Sequence, residues 1–329
     1  MAQHVLGVDL GAHAVKAVLL ESSYRGFSVV DHASAAVPPP EGEVPAPLRD
    51  RQAAALRALL AERGWRFDVA VASLPGATSA AQVVTLPFTD TRRIEQTIPF
   101  EVEGQIPFDL SEVAWDWQPI ATRDGKSDLL VDVARKDEVA GVLAALAGAG
   151  VDPRVVVPAA PAYASLFSSG VVEAGPAPDP GAPARAEAVV DLGQDRANVC
   201  IVEGGACVAA RTFAFGASHD ARTIARELRA TTRAWQARVG PRRLERVHLA
   251  GGLGNVAGLA ELLAPDVDGP VEPLRLAGAA VEKLPLDGAG AFALPLALAI
   301  RGHEGAKAPR LNLRRGELAY TRDFQHVKG

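Results

Sequence analysis

Two stretches of the chain carry the same pattern of apolar and polar positions. In Val5-Leu6-Gly7-Val8-Asp9-Leu10-Gly11 an apolar run is broken by one aspartate and closed by a glycine, and Val15-Lys16-Ala17-Val18-Leu19-Leu20 follows. Ala188-Val189-Val190-Asp191-Leu192-Gly193 repeats the pattern most of a domain later and is followed by Val199-Cys200-Ile201-Val202. Each copy predicts a strand, a turn at Asp-x-Gly and a second strand. A glycine at that point lets a ligand approach the backbone closely. One copy alone reads as an Asp-Gly turn, whereas two with matching flanks read as a duplicated domain. Facing each other across a cleft, such hairpins would hold a polyphosphate between glycine amides, with Asp9 and Asp191 near its metal ion.

The rest of the pattern is mixed α/β. Strands are predicted at Phe27–Ala33, Val69–Leu74 and Val83–Pro87, and Pro38 to Pro45 must be a loop. A helix over Gln52–Glu62 places Leu56, Leu59 and Leu60 on one face and stops at Gly64. A second, from Thr91, is expected to end near Phe100 because Pro99 interrupts it. Residues 88–157 read as a small inserted subdomain, with strands at Val113–Gln118 and Leu129–Ala134 and a helix at Asp137–Leu146. The proline-rich stretch Gly175 to Pro183 marks a linker, taken as 176–187. The expected division is 1–87 with 158–175, the insert 88–157, the linker, a second half over 188–308, and a tail over 309–329.

Within the second half, 218–239 reads as an arginine-rich helix with Ser218 as N-cap. Arg222, Arg226, Arg229, Arg233 and Arg238 surround an apolar stripe of Ile224, Leu228 and Trp235. This is either a solvated face or a surface for an acidic partner or a nucleotide edge. A strand over Arg246–Ala250 then runs into a glycine turn and a helix over Val256–Leu263. Gly252-Leu253-Gly254 is a poor dinucleotide fingerprint, since the third glycine comes one residue late and no acidic ribose partner follows. There is no Walker A pattern, which argues against a P-loop enzyme.

Composition narrows the class. The 329 residues suffice for two domains with real cores. A net charge of −5 argues against a nucleic-acid partner. Cys200 and Cys207 are too few for a disulfide framework. With Gly204-Gly205 as the turn, their Cα atoms would lie about 7–8 Å apart, marginal for a bridge, so buried free thiols in a reducing cytosol are expected. His13, His219 and His248 lack metal-ligand spacing. The first residues, with His4, Asp9 and Lys16, are no secretory signal. The most apolar run, Ala289–Ile300, falls short of the roughly 18 residues of a membrane span and contains Gly290 and Pro295.

Taken together, these motifs resemble the PilM/GspL group, which comprises the actin-like type IV pilus assembly protein and the cytoplasmic domain of the type II secretion protein GspL, the nearer likeness. The resemblance is carried by Gly7–Gly11, Val15–Val18, Glu101-Val102-Glu103-Gly104-Gln105-Ile106-Pro107-Phe108, Asp191–Gly193, Leu249–Gly252 and the tail Leu311–Tyr320. It implies an α/β, actin-like (duplicated RNase H-like) ATPase fold with an inserted small subdomain. It also implies a nucleotide site at Asp9, Gly11, Lys16, Asp191, Gly193, Gly251 and Gly252, with Asp9 and Asp191 for the metal. The implied partners are a secretion or pilus ATPase (GspE-like), inner-membrane platform proteins (GspM, GspF or PilN-like) and a second copy in a homodimer. The implied place is the cytoplasmic face of the bacterial inner membrane, with a membrane anchor following the tail. In the pilus system a membrane partner inserts a segment resembling Asn-Leu-Leu-Pro into a groove of its PilM-like partner. Leu311-Asn312-Leu313 has that form in cis, and is expected to dock in the equivalent groove with Asn312 satisfying backbone groups.

Against that pattern, the chain departs where nucleotide relatives carry hydroxyls. It has Ala12-His13-Ala14 after the first Asp-x-Gly and Ala197 after the second. Each lost charge-assisted hydrogen bond costs roughly 1.5–3 kcal/mol. The stretch Val157–Ala162, where related folds place a water-orienting acid, has none. The expectation is a non-catalytic scaffold with no catalytic residue and no cofactor; the alternative is a protein that binds ATP with Mg and switches or hydrolyses slowly. A sugar or acetate kinase fits less well, because no catalytic aspartate in an acceptor motif is visible. Partner anchors are expected among Phe100, Ile106, Phe108 and Trp115 or Trp117, with Ile106 and Phe108 the leading candidates for a partner or the docked tail.

Overall fold

The computed structural model describes residues 2–42, 45–172, 185–215, 220–254, 256–285 and 287–321. The chain opens with a meander of β1 (Gln3–Leu10), β2 (Ala14–Ser23) and β3 (Gly26–Ala36). Helix α1 (Leu48–Arg63) leads to β4 (Val69–Leu74), and then β5 (Ser79–Leu86), α2 (Thr91–Glu103), β6 (Val113–Arg123), β7 (Lys126–Arg135) and α3 (Lys136–Gly148) intervene before β8 (Val155–Pro158). Two short helices, α4 (Ala159–Ala162) and α5 (Ala164–Ser168), precede a second meander of β9 (Ala186–Leu192), β10 (Arg196–Glu203) and β11 (Ala206–Ala214). Then come α6 (Ala221–Val239), β12 (Arg246–Ala250), α7 (Leu259–Leu263), β13 (Val271–Pro273) and α8 (Ala293–Glu304).

The first sheet has the order β3-β2-β1-β4-β8 and the second β11-β10-β9-β12-β13. In both, the first three strands in sequence pair antiparallel and the last two join in parallel. The repeated order and direction are the duplicated RNase H-like arrangement of the actin-like ATPase fold. A third sheet, β5-β7-β6, forms the insert.

The two halves exchange helices. After the first sheet, α4 and α5 pack on β10 and β11 of the second, whereas α8 follows the second sheet and packs on β1, β2 and β4 of the first. The exchanged helices also pack on each other, and one apolar cluster runs through them and both sheets. This is why Ala289–Ile300 is so apolar: Ala293 to Arg301 are all buried. Among the described residues no helix is long and apolar enough to cross a membrane. The outer faces are covered by α1 and α3 on the first sheet and by α6 on the second.

Several boundaries differ from the sequence pattern. The small sheet begins at Ser79, because the chain before Val83 pairs with β7 in register Ser79↔Ala134. At its other end, α3 buries Val139, Val142 and Leu146 against Leu56 and Leu59 of α1, and β8 belongs to the first sheet. The third sheet and its helix α2 therefore occupy 79–135 rather than 88–157. The exchange places 159–168 on the second sheet and 293–304 on the first, across the expected division.

Other differences are local. Helix α2 continues through Pro99 to Glu103, since Asp90 caps it and Ile94, Ile98 and Val102 form one buried stripe that outweighs the lost hydrogen bond. The β6–β7 hairpin is longer than expected and turns at Asp124-Gly125, both with positive φ, a strong two-residue turn signal. Helix α6 is capped by Asp220; Ser218 lies outside the described residues, as does most of the expected linker, whose residues 186–187 belong to β9. Helix α7 starts only at Leu259, after Gly258 in the left-handed region. Cys200 and Cys207 are buried free thiols, separated in register by a bulge at Ile201/Val202.

Close approach of α8 to β1 depends on Gly7. A Cβ there would lie 2.0 Å from the Pro295 carbonyl oxygen and 2.6 Å from the Ala299 nitrogen. Gly7→Ala is expected to destabilise the protein by about 2–3 kcal/mol, seen as a lower urea midpoint at unchanged slope. Gly104→Ala, at a position with open space, serves as the neutral control.

Candidate functional site

The two Asp-x-Gly turns face one cavity of about 580 Å³. Asp9, Gly11, Lys16, Asp191, Gly193 and Gly252 all line it. Both aspartates sit at strand ends, where β1 and β9 lie between an antiparallel and a parallel neighbour. Asp9 lies opposite Lys16 across β1–β2, and Asp191 lies opposite Asn198 across β9–β10. The duplication thus repeats the carboxylate while replacing its partner, a cation in one half and an amide in the other.

Each carboxylate is held. Ser73 Oγ donates to Asp9 Oδ1 at 3.0 Å, and Asn198 Nδ2 donates to Asp191 Oδ2 at 2.8 Å. Thr212 Oγ1 donates in turn to Asn198 Oδ1 at 2.7 Å. Burial pushes the Asp9 carboxyl from its ordinary 3.8 up to about 6; the charge of Lys16 opposes this, while that of Asp191 adds to it. The Tyr163 phenol is raised well above its usual value by burial and then by Asp191 and Asp9.

Gly251 has φ +91°, and a Cβ there would lie 2.3 Å from Asp191 Oδ1, so only glycine fits against that carboxylate. Gly251 therefore backs the site, and Gly252 faces the Lys16 ammonium, whose Nζ lies 3.6 Å from where a Cβ on Gly252 would sit. The turn at Gly11 is tied from behind by the buried Gln52, whose Nε2 donates to the Leu10 and Gly11 carbonyls at 2.8 and 2.9 Å.

Gln52, Ser73, Asn198, Thr212 and the cavity-lining Thr78, Arg49 and Glu138 were not legible as site residues. Their only sequence signal is a polar residue on an apolar strand or helix face. The hydroxyls among them are committed, Thr78 to the Pro75 carbonyl and Thr212 to Asn198. Ala12, Ala14 and Ala159 line the cavity without a donor side chain. Among the described residues no group of three or more His, Cys, Asp or Glu converges as a metal site. The glycine turns and the crowded carboxylate pair fit a metal-bound polyphosphate in outline: Asp9 and Asp191 would hold the ion, and Lys16 with the Gly11 and Gly252 N–H groups would hold the phosphates, since the Gly193 and Gly251 N–H groups donate to the Arg196 and Gly290 carbonyls.

A second constellation lies at the edge of the first sheet. The tail runs beside β8, with Leu311 and Leu313 fully buried. Asn312 Oδ1 accepts from the Val156 N–H at 3.0 Å, and the Leu313 N–H donates to the Val156 carbonyl at 2.9 Å. On the other side the Asn312 N–H donates to Asp116 Oδ2 at 2.8 Å. Arg301, buried on α8, donates to the Pro309 and Leu311 carbonyls, and burial lowers its pKa to about 10. Burial also raises the Asp116 carboxyl, opposed first by Arg315. Arg315 pairs with Asp116, and Arg310 pairs with Glu95 at 2.5 Å while covering the Trp117 ring. Ile106 and Phe108 are not part of this constellation: Ile106 packs on the small-sheet core and Phe108 is exposed beside Arg135. Trp117 is core, Trp115 lies beneath Arg315, and Phe100 is 74% exposed.

A family model for the type IV pilus assembly protein PilM matches residues 7–234, more than half of the chain. The chain belongs to the PilM family of type IV pilus assembly proteins. Among solved structures, a PilM–PilN type IV pilus biogenesis complex is similar at 24% identity and a TM-score of 0.72, over 91% of this chain and 98% of that one. The cytoplasmic domain of EpsL, an inner-membrane component of the type II secretion system of Vibrio cholerae, is similar at 16% identity and a TM-score of 0.52, over 96% and 99%. A search of curated protein sequences found no match. The actin-like fold and the PilM/GspL resemblance read from the motifs thus hold for this chain, with the expected order reversed: the likeness to PilM is greater than that to the GspL-type domain.

The raised Asp9 carboxyl has a consequence for stability. A carboxyl with a folded pKa above its unfolded value favours folding below about pH 4, and that contribution is lost as pH rises through about 6. Asp9→Asn is therefore expected to stabilise this PilM-family chain by about 1–2 kcal/mol at pH 8, after allowance for solvent at the cleft. The gain should shrink towards zero at pH 4, as read by denaturant melts across that range.

Proposed function

We propose that this chain is a non-catalytic actin-like scaffold of a type II secretion or type IV pilus assembly platform, at the cytoplasmic face of the inner membrane, with its segment-binding groove filled by its own tail. The carrying observation is the burial of Leu311 and Leu313 beside β8, with Asn312 bonded to Val156 and Asp116. A PilM-like protein solved with PilN supports a PilN-like partner, and the EpsL likeness supports the inner-membrane setting. Coupling to a GspE-like ATPase is assigned to the insert, where Phe100 on α2 and Phe108 in the segment before β6 stand in solvent. GspM- or GspF-like platform proteins and a second copy of the chain complete the proposed set of partners. Nucleotide turnover is left out of this reading, because the cavity's hydroxyls are committed within the protein and Ala12, Ala14 and Ala159 replace side chains that could serve a phosphate or a water.

The groove half of this reading predicts that Leu313→Ala costs about 2–4 kcal/mol and Asn312→Ala about 1–3 kcal/mol, by leaving the Val156 N–H unsatisfied. Both variants should also bind an added peptide of residues 309–321, which the parent chain should ignore; equal binding by parent and variants would remove the in-cis groove. The second reading, an ATP-binding switch, rests on the convergence of Asp9, Lys16 and Asp191 on one cavity. Isothermal titration with ATP and magnesium separates the two. The scaffold reading expects no heat up to millimolar nucleotide and no phosphate release. Micromolar binding that Asp191→Ala abolishes would establish the switch instead.

A further inference from the structure

The insert meets the second half along one seam, where β5 packs closely on β11. The turn before β5 is wedged against the same strand: a Cβ on Gly76 would lie 2.0 Å from Thr212 Oγ1 and 2.7 Å from Asn198 Oδ1. Thr212 donates to Asn198, which donates to Asp191. A hydrogen-bonded chain thus joins the seam to the aspartate cleft.

One carboxyl is enclosed at this seam. Asp132, on the middle strand of the third sheet, lies opposite Ala81 on one side and Asp116 on the other. It is 1% exposed, and its Oδ1 has no hydrogen-bond partner. It borders a space of about 20 Å³ together with Ser79, Pro158 and Ala160 of the link from β8 into α4, and Ala210 and Thr212 of β11. That space suits one water molecule, too little to hydrate an ionised carboxylate.

Among the described residues no neighbouring element brings Asp132 a cation. On β11 the Arg211 side chain alternates away from Ala210 and Thr212 and pairs with Glu227 of α6 at 2.7 Å. On β6, Asp116 is taken up by Arg315 and the Asn312 N–H. The residues from Pro158 to Pro161 carry no charge, and β5 offers the Ser79 hydroxyl. On β7 itself Asp128 accepts from Thr85 Oγ1 at 2.6 Å, and Arg135 pairs with Asp137 of α3. Glu138 of α3 pairs with Arg49 at 3.6 Å. Burial therefore pushes the Asp132 carboxyl from 3.8 up to about 7, opposed by the Ser79 hydroxyl and the Val133 N–H. A raised carboxyl favours the enclosed state fully below about pH 4, and that contribution is lost as pH rises through about 7.

We propose that Asp132 is a proton-operated latch on this seam: as a neutral acid it lets the insert close against β11, and as a carboxylate it draws water in and releases the insert from the second half. The latch depends on neither reading of the cleft and leaves the tail groove as described.

The test is double electron–electron resonance on the full chain, with nitroxide labels at Glu101→Cys on α2 and Ala230→Cys on α6, two exposed positions. Cys200 and Cys207 are fully buried and take no label. The expected result is a single distance at about pH 5 and a second, longer one at about pH 7.5. The ratio of long to short should rise by about ten-fold or more between the two. Asp132→Asn should give the short distance alone at both pH values. Ser79→Ala, which removes a donor to the carboxylate, should move the midpoint to higher pH, and it carries the test if Asp132→Asn fails to fold. The proposal is overturned if the distances do not change with pH, or if Ser79→Ala leaves the midpoint where it was. It is overturned equally if Asp132→Asn keeps the change, which would assign it to Asp9, whose carboxyl titrates at about 6.

Discussion

The packing of α8 against β1 is the contact on which the molecule depends. It is possible only because Gly7 carries no side chain where the Pro295 carbonyl passes. Through it the end of the second half is locked onto the first sheet, and the reciprocal packing of α4 and α5 on the second sheet fixes both halves to one core. Helix α8 then supports both candidate regions. Near its start Leu294 lines the aspartate cavity, and just before it the Gly290 carbonyl accepts from the Gly251 N–H, holding the turn behind Asp191. Near its end Arg301 holds the tail carbonyls. The cleft and the groove are thus supported by opposite ends of one buried helix.

The two regions differ in how their charges are satisfied. In the cleft, Asp9 and Asp191 are crowded together, and burial lifts Asp9 despite Lys16. In the groove, Asp116 is buried but matched by the tail itself, through Arg315, Arg310 and the Asn312 N–H. A buried charge that loses its partner costs several kcal/mol, so the docked tail is held as much by what its departure would strand, Asp116 and Arg301, as by the apolar contacts of Leu311 and Leu313.

Much of the fold was legible because its signals are local and were repeated. Two Asp-x-Gly hairpins with matching flanks predicted a duplicated fold, and both sheets show it. The site residues read from those turns line one cavity, with Gly251 directly behind. The residues that hold them were not legible, since Gln52, Ser73 and Asn198 reach the turns from sequence distances or strand faces that no local pattern announces. Pro99 misled for the opposite reason: a local rule about helix breaking was outweighed by the tertiary burial of Ile94, Ile98 and Val102.

By itself, then, the sequence determined most of the strands and longer helices, the repeated aspartate turns and the family, because alternation, glycine turns and motif spacing act over a few residues. Only the tertiary structure decided which sheet each helix covers, where the insert begins, and which surface the tail occupies. Those outcomes rest on contacts between residues 55 to nearly 300 positions apart, such as Ser79 with Ala134, Ser73 with Asp9, Asn312 with Val156, and Pro295 over Gly7. Their energies depend on burial and partner geometry, which a linear pattern does not carry.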